Sequence, residues 1–202
     1  MSVAADRNDD YLNPHGWMDT YVGYRVYLQN PEVAVISFRD IAHALGMQYR
    51  FNGHTTQFYS VAEHCVKVAD VLKHRGNGAR IELLGLLHDA AEAYTGDVIR
   101  GMKLLLSEMQ RIEAGLMRVI YETVGVAGPD EAEETVVKAA DNTMVVVEAR
   151  RLMPRARLAT AGVGREASEV ECWEPRRAEL EWMDRYKKLT EVLHRERQAR
   201  QE

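Results

Sequence analysis

Residues 81–94 read IELLGLLHDAAEAY, an apolar run that closes on His88, Asp89 and Glu92. An apolar segment of this length reads as a buried helix rather than a strand. Proton- and metal-binding groups at the end of a buried helix need partners, because an unpaired buried charge is costly. On a continuous helix His88 and Glu92 share a face, and Asp89 projects about 100° away from His88. His88 and Asp89 can then both reach a cation beside the helix, while Glu92 touches a water next to that cation. A neighbouring His-Asp pair is also common by chance, and alone it reads as structural. Its chemistry depends on donors arriving from other helices. Two segments offer them: SVAEH at 60–64, which carries His64, and KAADN at 138–142, which carries Asp141. Nitrogen and carboxylate donors of this mix suit a first-row divalent ion, Mn, Co, Ni, Zn or Fe, with Mg as a further candidate. Such an ion polarises a phosphoryl oxygen and acidifies water.

The elements that position these groups are mostly helices. Ser37 with Asp40, and Ser60 with Glu63, are N-terminal capping signatures, and the second opens a helix with His64 near its Val61/Val68 stripe. Residues 104–124 form an amphipathic helix. A helix from 130 or 131 to 153 starts acidic and ends in Arg150-Arg151, as the helix dipole prefers. Asp141 sits in an apolar part of it, an awkward place for a solvated carboxylate. Pro175 opens a last helix, to about residue 195, with an apolar stripe of Leu180, Met183, Tyr186, Leu189 and Leu193. This stripe is expected to be buried on the domain or across a homo-oligomer, a homodimer or larger. Alternation over 21–27 predicts the β-structure, a short hairpin with 33–36. His43 reads as a partly exposed bystander. The division is a flexible tail at 1–20, one domain at 21–195 and a charged tail at 196–202, with residues 155–172 as an irregular surface loop.

At 202 residues, 46% hydrophobic and 28% charged, the chain fits one soluble domain with a real core. A formal charge of -5 argues against a coat for polymeric nucleic acid. Two cysteines, Cys65 and Cys172, are too few for a disulfide framework and point to a reducing, cytoplasmic setting. No run approaches a membrane span, and residues 1–10 lack a signal-peptide core.

The order H…HD…D, with SVAEH before the pair, HDAAEAYTGD around it and KAAD later, resembles HD-domain metal-dependent phosphohydrolases. It is similar above all to bacterial 5′-deoxynucleotidases and phage dATP triphosphohydrolases, over residues 40–153. The resemblance implies an all-α HD-domain bundle with His64, His88, Asp89 and Asp141 as metal ligands. It implies that Glu92 positions or activates the attacking water and that Asp97 protonates the leaving oxygen or orients the water. Arg50 would hold phosphate, with Lys103 as a second phosphate contact. Phe51 stands where the nucleotidases carry Trp, against sugar or base, and His54 lies in an insertion-like turn within reach of substrate. The function so implied is hydrolysis of a deoxynucleoside monophosphate to nucleoside and phosphate. The alternatives are release of triphosphate from a dNTP, dATP especially, and a non-catalytic nucleotide-binding module.

Overall fold

The computed structural model describes residues 16–157 and 169–199. Residues 1–15 of the tail expected at 1–20, residues 158–168 of the irregular loop and residues 200–202 lie outside the described residues.

Both capping serines act as the sequence predicts, but their acidic partners turn elsewhere. Ser37 accepts from the Asp40 amide and opens α1 (Phe38–Met47); Ser60 accepts from the Glu63 amide and opens α2 (Val61–His74). In a full capping box the acid would reach back to the cap. Here Asp40 Oδ1 instead accepts from Val22 N at 2.7 Å, which ties the N-terminal hairpin down. The buried Glu63 carboxylate accepts the amides of Glu171, Cys172 and Trp173 at 2.9, 3.1 and 2.6 Å, which clamps the return segment onto α2. Beyond α2 come α3 (Ala79–Leu87), the short α4 (Glu92–Thr95) and α5 (Arg100–Lys103), then α6 (Ser107–Val124), α7 (Glu131–Leu152) and α8 (Pro175–Ala199). The full box does occur at α7, between Asp130 and Glu133.

The architecture is all-α with a short N-terminal hairpin of β1 (Trp17–Asp19) and β2 (Arg25–Tyr27), antiparallel, with Met18 opposite Val26. The pairing differs from the expected one. Residues 33–35 form a 3-10 turn, and the partner of 25–27 comes from 17–19, within the segment expected to be tail. Thr20 and Gly23, at φ +91°, close the turn between the strands, so the alternation over 21–27 was half turn and half strand.

α2 is the hub, packed against α1, α3, α7 and α8. Its approach to α3 is close because Gly85 faces Leu72: a Cβ at Gly85 would stand 2.3 Å from Leu72 Cδ1. The main core gathers Val61, Cys65 and Ala69 of α2, Leu83, Leu86 and Leu87 of α3, Leu116 and Ile120 of α6, and Trp182 of α8. On α8 the buried positions are Ala178, Glu179, Trp182 and Leu189, whereas Leu180 is 52% exposed. The stripe therefore runs through Trp182, and Leu180 lies outside it. The helix expected over 104–124 starts at Ser107; Leu104, Leu105 and Leu106 precede it and are exposed. His43 bonds Glu179 and stacks on Tyr21, so it helps hold the hairpin. Among the described residues no helix is long and apolar enough to cross a membrane.

Candidate metal centre

The expected continuous helix over 81–94 breaks at the metal-binding residues. α3 ends at Leu87, and Ala90 and Glu92 bond back three residues, to Leu87 O and Asp89 O, in tight 3-10 fashion. Glu92 opens α4 one tightened turn later, so it is related to His88 by this turn and not by a common helix face. Part of the reason is His88 itself: its Nδ1 bonds Gly85 O at 2.7 Å, which uses a carbonyl at the helix end.

That bond fixes the ring. With Nδ1–H donating to Gly85 O, His88 Nε2 is left bare. His64 is fixed the same way by Glu148, whose Oε1 takes His64 Nδ1–H at 2.6 Å. The two bare Nε2 atoms then meet at 3.2 Å. Carboxylates close round them. Asp89 Oδ2 lies 3.2 Å from His88 Nε2 and 3.7 Å from His64 Nε2, and Asp141 Oδ1 lies 3.3 Å from His64 Nε2. Acceptors facing acceptors at this range demand positive charge between them. Two donors on one ion, each bonded at about 2.1 Å, stand roughly 3.0 Å apart at a right angle and roughly 3.4 Å apart at a tetrahedral one. Spacings of 3.2, 3.2 and 3.3 Å fall between those values and the 3.7 Å one lies just above them, so the donors of His64, His88 and Asp89 suit a single divalent ion. His64, His88 and Asp89 have ligand atoms all within 4.8 Å of one another; the expected fourth ligand, Asp141, is 3.3 Å from His64 but falls outside that group of three.

The titration of the same groups expresses this demand. Burial and the Arg50 charge would lower the His64 pKa, yet Glu148 and Asp141 outweigh them and raise it. For His88 burial is outweighed by the Asp89 carboxylate, and the pKa goes well up. Burial would raise the carboxylates, but His88 pulls Asp89 far below its usual range, and His64 does the same to Asp141.

Each remaining candidate has a definite place. Arg50 is buried, with Nη1 3.3 Å from Asp89 Oδ2 and Nε 3.4 Å from Glu148 Oε2. Phe51 follows it at φ +55°, a left-handed conformation costly for an aromatic residue, with its ring about 5.5 Å from the guanidinium. Strain of this kind, about 1–3 kcal/mol, concentrates where geometry is held for function. Glu92 is buried, with Oε1 2.6 Å from Lys103 Nζ and Oε2 without a partner. Burial and the charges of Asp89 and Asp97 push its pKa well up, against Lys103. Asp97 is half-buried, and burial raises its pKa while Arg50, Asp89, His64 and Lys103 act on it. Lys103 bridges Glu92 and Glu113 (3.0 Å), so it holds the general-base candidate rather than standing free for phosphate. Arg100, next to this group, goes to Asn142 Oδ1 at 3.1 Å and Asp141 Oδ2 at 3.6 Å. His54 is exposed at the end of the 50–53 turn, where its backbone N–H donates to Phe51 O at 3.0 Å.

Sequence reasoning missed Glu148 and Lys138. Lys138 bonds Asp141 directly, one turn back on α7. Glu148 is fully buried and also accepts from Tyr59 OH at 3.1 Å. Its signal was its position seven residues after Asp141, two helical turns on the same face.

Beside His88, Asp89 and Asp141 opens a cleft of about 1280 Å³ between α6 and α7. Leu84, Met117, Tyr121 and Val137 give it apolar walls; Glu122, Glu131 and Glu134 face Arg118 and Lys138 around it. Fold and site thus define an all-α protein with a buried His/His/Asp cluster, able to hold a divalent cation at the end of an open cleft.

The chain belongs to the family of YfdR, an uncharacterized protein of Escherichia coli, with which it is 33% identical over 136 residues, 67% of this chain and 72% of that one. It is also 32% identical over 142 residues to an uncharacterized protein of Rhodobacter capsulatus, again 67% of this chain and 72% of the relative. No family model matches the chain.

Proposed function

We propose that this chain is an HD-type, metal-dependent phosphohydrolase that cleaves nucleoside 5′-phosphates, releasing phosphate from a deoxynucleoside monophosphate. The observation that carries the reading is the group of donor atoms from His64, His88 and Asp89 at 3.2–3.7 Å, with Asp141 3.3 Å from His64 and both imidazole Nδ1 atoms already committed elsewhere. A divalent ion bound there supplies a Lewis acid for a phosphoryl oxygen and acidifies water.

The chain's own residues supply the rest. Arg50 offers a planar fork to phosphate oxygens from beside Asp89. Glu92, with its raised pKa and one unpartnered oxygen, takes the proton of the attacking water. Asp97, half-buried and also raised, delivers a proton to the leaving 5′ oxygen. Lys103 restrains the Glu92 carboxylate through its other oxygen. The nucleoside lies in the α6–α7 cleft against Tyr121 and Met117. The three glutamates on that cleft against two cations disfavour a polyphosphate tail, which supports the monophosphate over the dNTP reading. Two proton-transfer carboxylates near one cation site also speak for catalysis over a silent nucleotide-binding module.

Purified protein should be incubated with Mn²⁺ or Co²⁺ and each dNMP, NMP and dNTP, with products separated by chromatography. Nucleoside plus phosphate from a monophosphate supports the proposal. Triphosphate from a dNTP would replace it with the triphosphohydrolase reading, and no turnover of any nucleotide by metal-loaded protein would end both.

A further inference from the structure

Glu148 is the most completely buried carboxylate of the centre, and it touches both halves of the site. Its Oε1 holds His64 Nδ1 at 2.6 Å, its Oε2 lies 3.4 Å from Arg50 Nε, and Tyr59 OH donates to Oε1 at 3.1 Å. All three partners are themselves buried. A fully buried carboxylate needs such partners to remain charged. The same atoms have a consequence for function. Oε1 selects the His64 tautomer that presents Nε2 to the cation. Oε2 and Arg50 Nε, 3.4 Å apart, form an ion pair without a hydrogen bond, which holds the guanidinium beside Asp89, where its Nη1 reaches. The carboxylate also shares its charge between the two cationic partners.

We infer that Glu148 is a positioning residue that ties the metal-ligating imidazole of His64 to the phosphate-holding guanidinium of Arg50, so that one buried carboxylate sets both cation affinity and phosphate grip. This rests on the phosphohydrolase reading for Arg50, and on the donor geometry alone for His64. With a cation held there, His64 would keep its Nδ1–H on Glu148 while Asp89 shared its charge with the cation, which would leave the Arg50 guanidinium freer to turn its outer N–H groups to phosphate. The cation and phosphate sites are thus coupled through residues of the chain as well as directly, and by linkage each favours the other.

Glu148→Gln keeps the shape and removes the charge. Mn²⁺ binding to the purified, metal-stripped full chain, followed by titration calorimetry, should weaken about 10–100-fold, as for other carboxylates behind a metal-bound histidine. At saturating Mn²⁺, KM for the phosphomonoester found in the product screen should rise at least about tenfold, because Arg50 loses its hold. Inorganic phosphate should inhibit the variant correspondingly less. Tyr59→Phe, which leaves His64 and Arg50 on Glu148, should keep both constants within about threefold. Should the Gln variant not fold, Glu148→Asp retains the charge but withdraws the carboxylate by about 1.5 Å, the length of one C–C bond. That takes the His64 bond out of reach, and Mn²⁺ should again weaken at least about tenfold. Wild-type Mn²⁺ affinity and KM in a folded Glu148 variant would reduce Glu148 to packing and overturn the inference. Failure of the wild-type protein to bind Mn²⁺ would instead overturn the metal centre, and Mn²⁺ binding without turnover only the phosphohydrolase reading.

Discussion

Gly85→Ala tests whether the close approach of α2 and α3 builds the metal centre. The new Cβ would stand 2.3 Å from Leu72 Cδ1 and 3.5 Å from Val68 Cγ1. Carbon atoms pack at about 3.5–4.0 Å, so Leu72 Cδ1 or α3 must retreat by roughly 1.2 Å or more. Leu72 and Leu84 are essentially fully buried, which leaves little room for a rotamer change. Overpacking of this kind costs about 1–3 kcal/mol, and so hard a contact belongs in the upper half of that range. Alanine returns about 1 kcal/mol of helix propensity. The net loss is about 1–2 kcal/mol, which lowers Tm by about 2–8 °C for a chain of this size. Because His64 rides on α2 and His88 ends α3, a retreat of α3 also opens the 3.2 Å gap between their Nε2 atoms and weakens Mn²⁺ binding. The assay is calorimetric melting of metal-free protein, with a Mn²⁺ titration alongside. Gly115→Ala is the control: Gly115 lies in α6 with nothing within 4 Å of its added Cβ, so propensity alone acts and Tm should rise. An unchanged or raised Tm for Gly85→Ala, with unchanged Mn²⁺ affinity, would refute the reasoning.

Glu92→Gln should keep Mn²⁺ and leave KM within a few fold, while kcat falls by about 10²–10⁴, the usual worth of general-base assistance; a kcat near wild type with a lowered Tm would make Glu92 a mere partner of Lys103. Glu171 is held down to about 2, chiefly by its hydrogen bond from Lys67, against an ordinary value of 4.5. A depressed carboxylate contributes stability that is present above its unfolded pKa and lost as pH falls. The Tm advantage of wild type over Glu171→Gln should therefore be full at pH 6 and shrink from about pH 4.5 toward 2; an advantage independent of pH would remove the Lys67 pair. Leu104 and Leu105 are 74% and 82% exposed, so a Leu104→Glu, Leu105→Glu double variant should melt within about 1 °C of wild type. A larger drop would mean that this run is covered in solution, and sedimentation of both proteins would say whether a second copy covers it.

How much the chain discloses varies with the kind of signal. The grouping of His64, His88 and Asp89, with Asp141 beside His64, was legible because each is a donor set into an apolar helical pattern, where a bystander would be costly. The capping serines were legible because capping is local; the destinations of Asp40 and Glu63 were not, because their partners lie 18 residues back and about 110 residues ahead. The break after Leu87 was hidden since His88 and Asp89 are compatible with helix, and only the Gly85 carbonyl and the cluster reward a tightened turn. Glu148 was masked because EARR at 148–151 reads as the solvated, basic end of a helix, which hides the seven-residue spacing from Asp141. Only the fold brings Arg50, Tyr59 and His64 to it. The hairpin was expected but mispaired, since two three-residue strands carry too little alternation to fix a register.

The central claim is that His64, His88, Asp89 and Asp141 hold one divalent ion. Its most direct measurement is anomalous diffraction from crystals grown with Mn²⁺, together with metal content per chain for wild type and Asp89→Ala. The account predicts one ion per chain, bonded at about 2.0–2.3 Å to Nε2 of His64 and His88 and to both aspartates, and absent from Asp89→Ala. No ion between those atoms at millimolar Mn²⁺, or a full complement retained by Asp89→Ala, would contradict it.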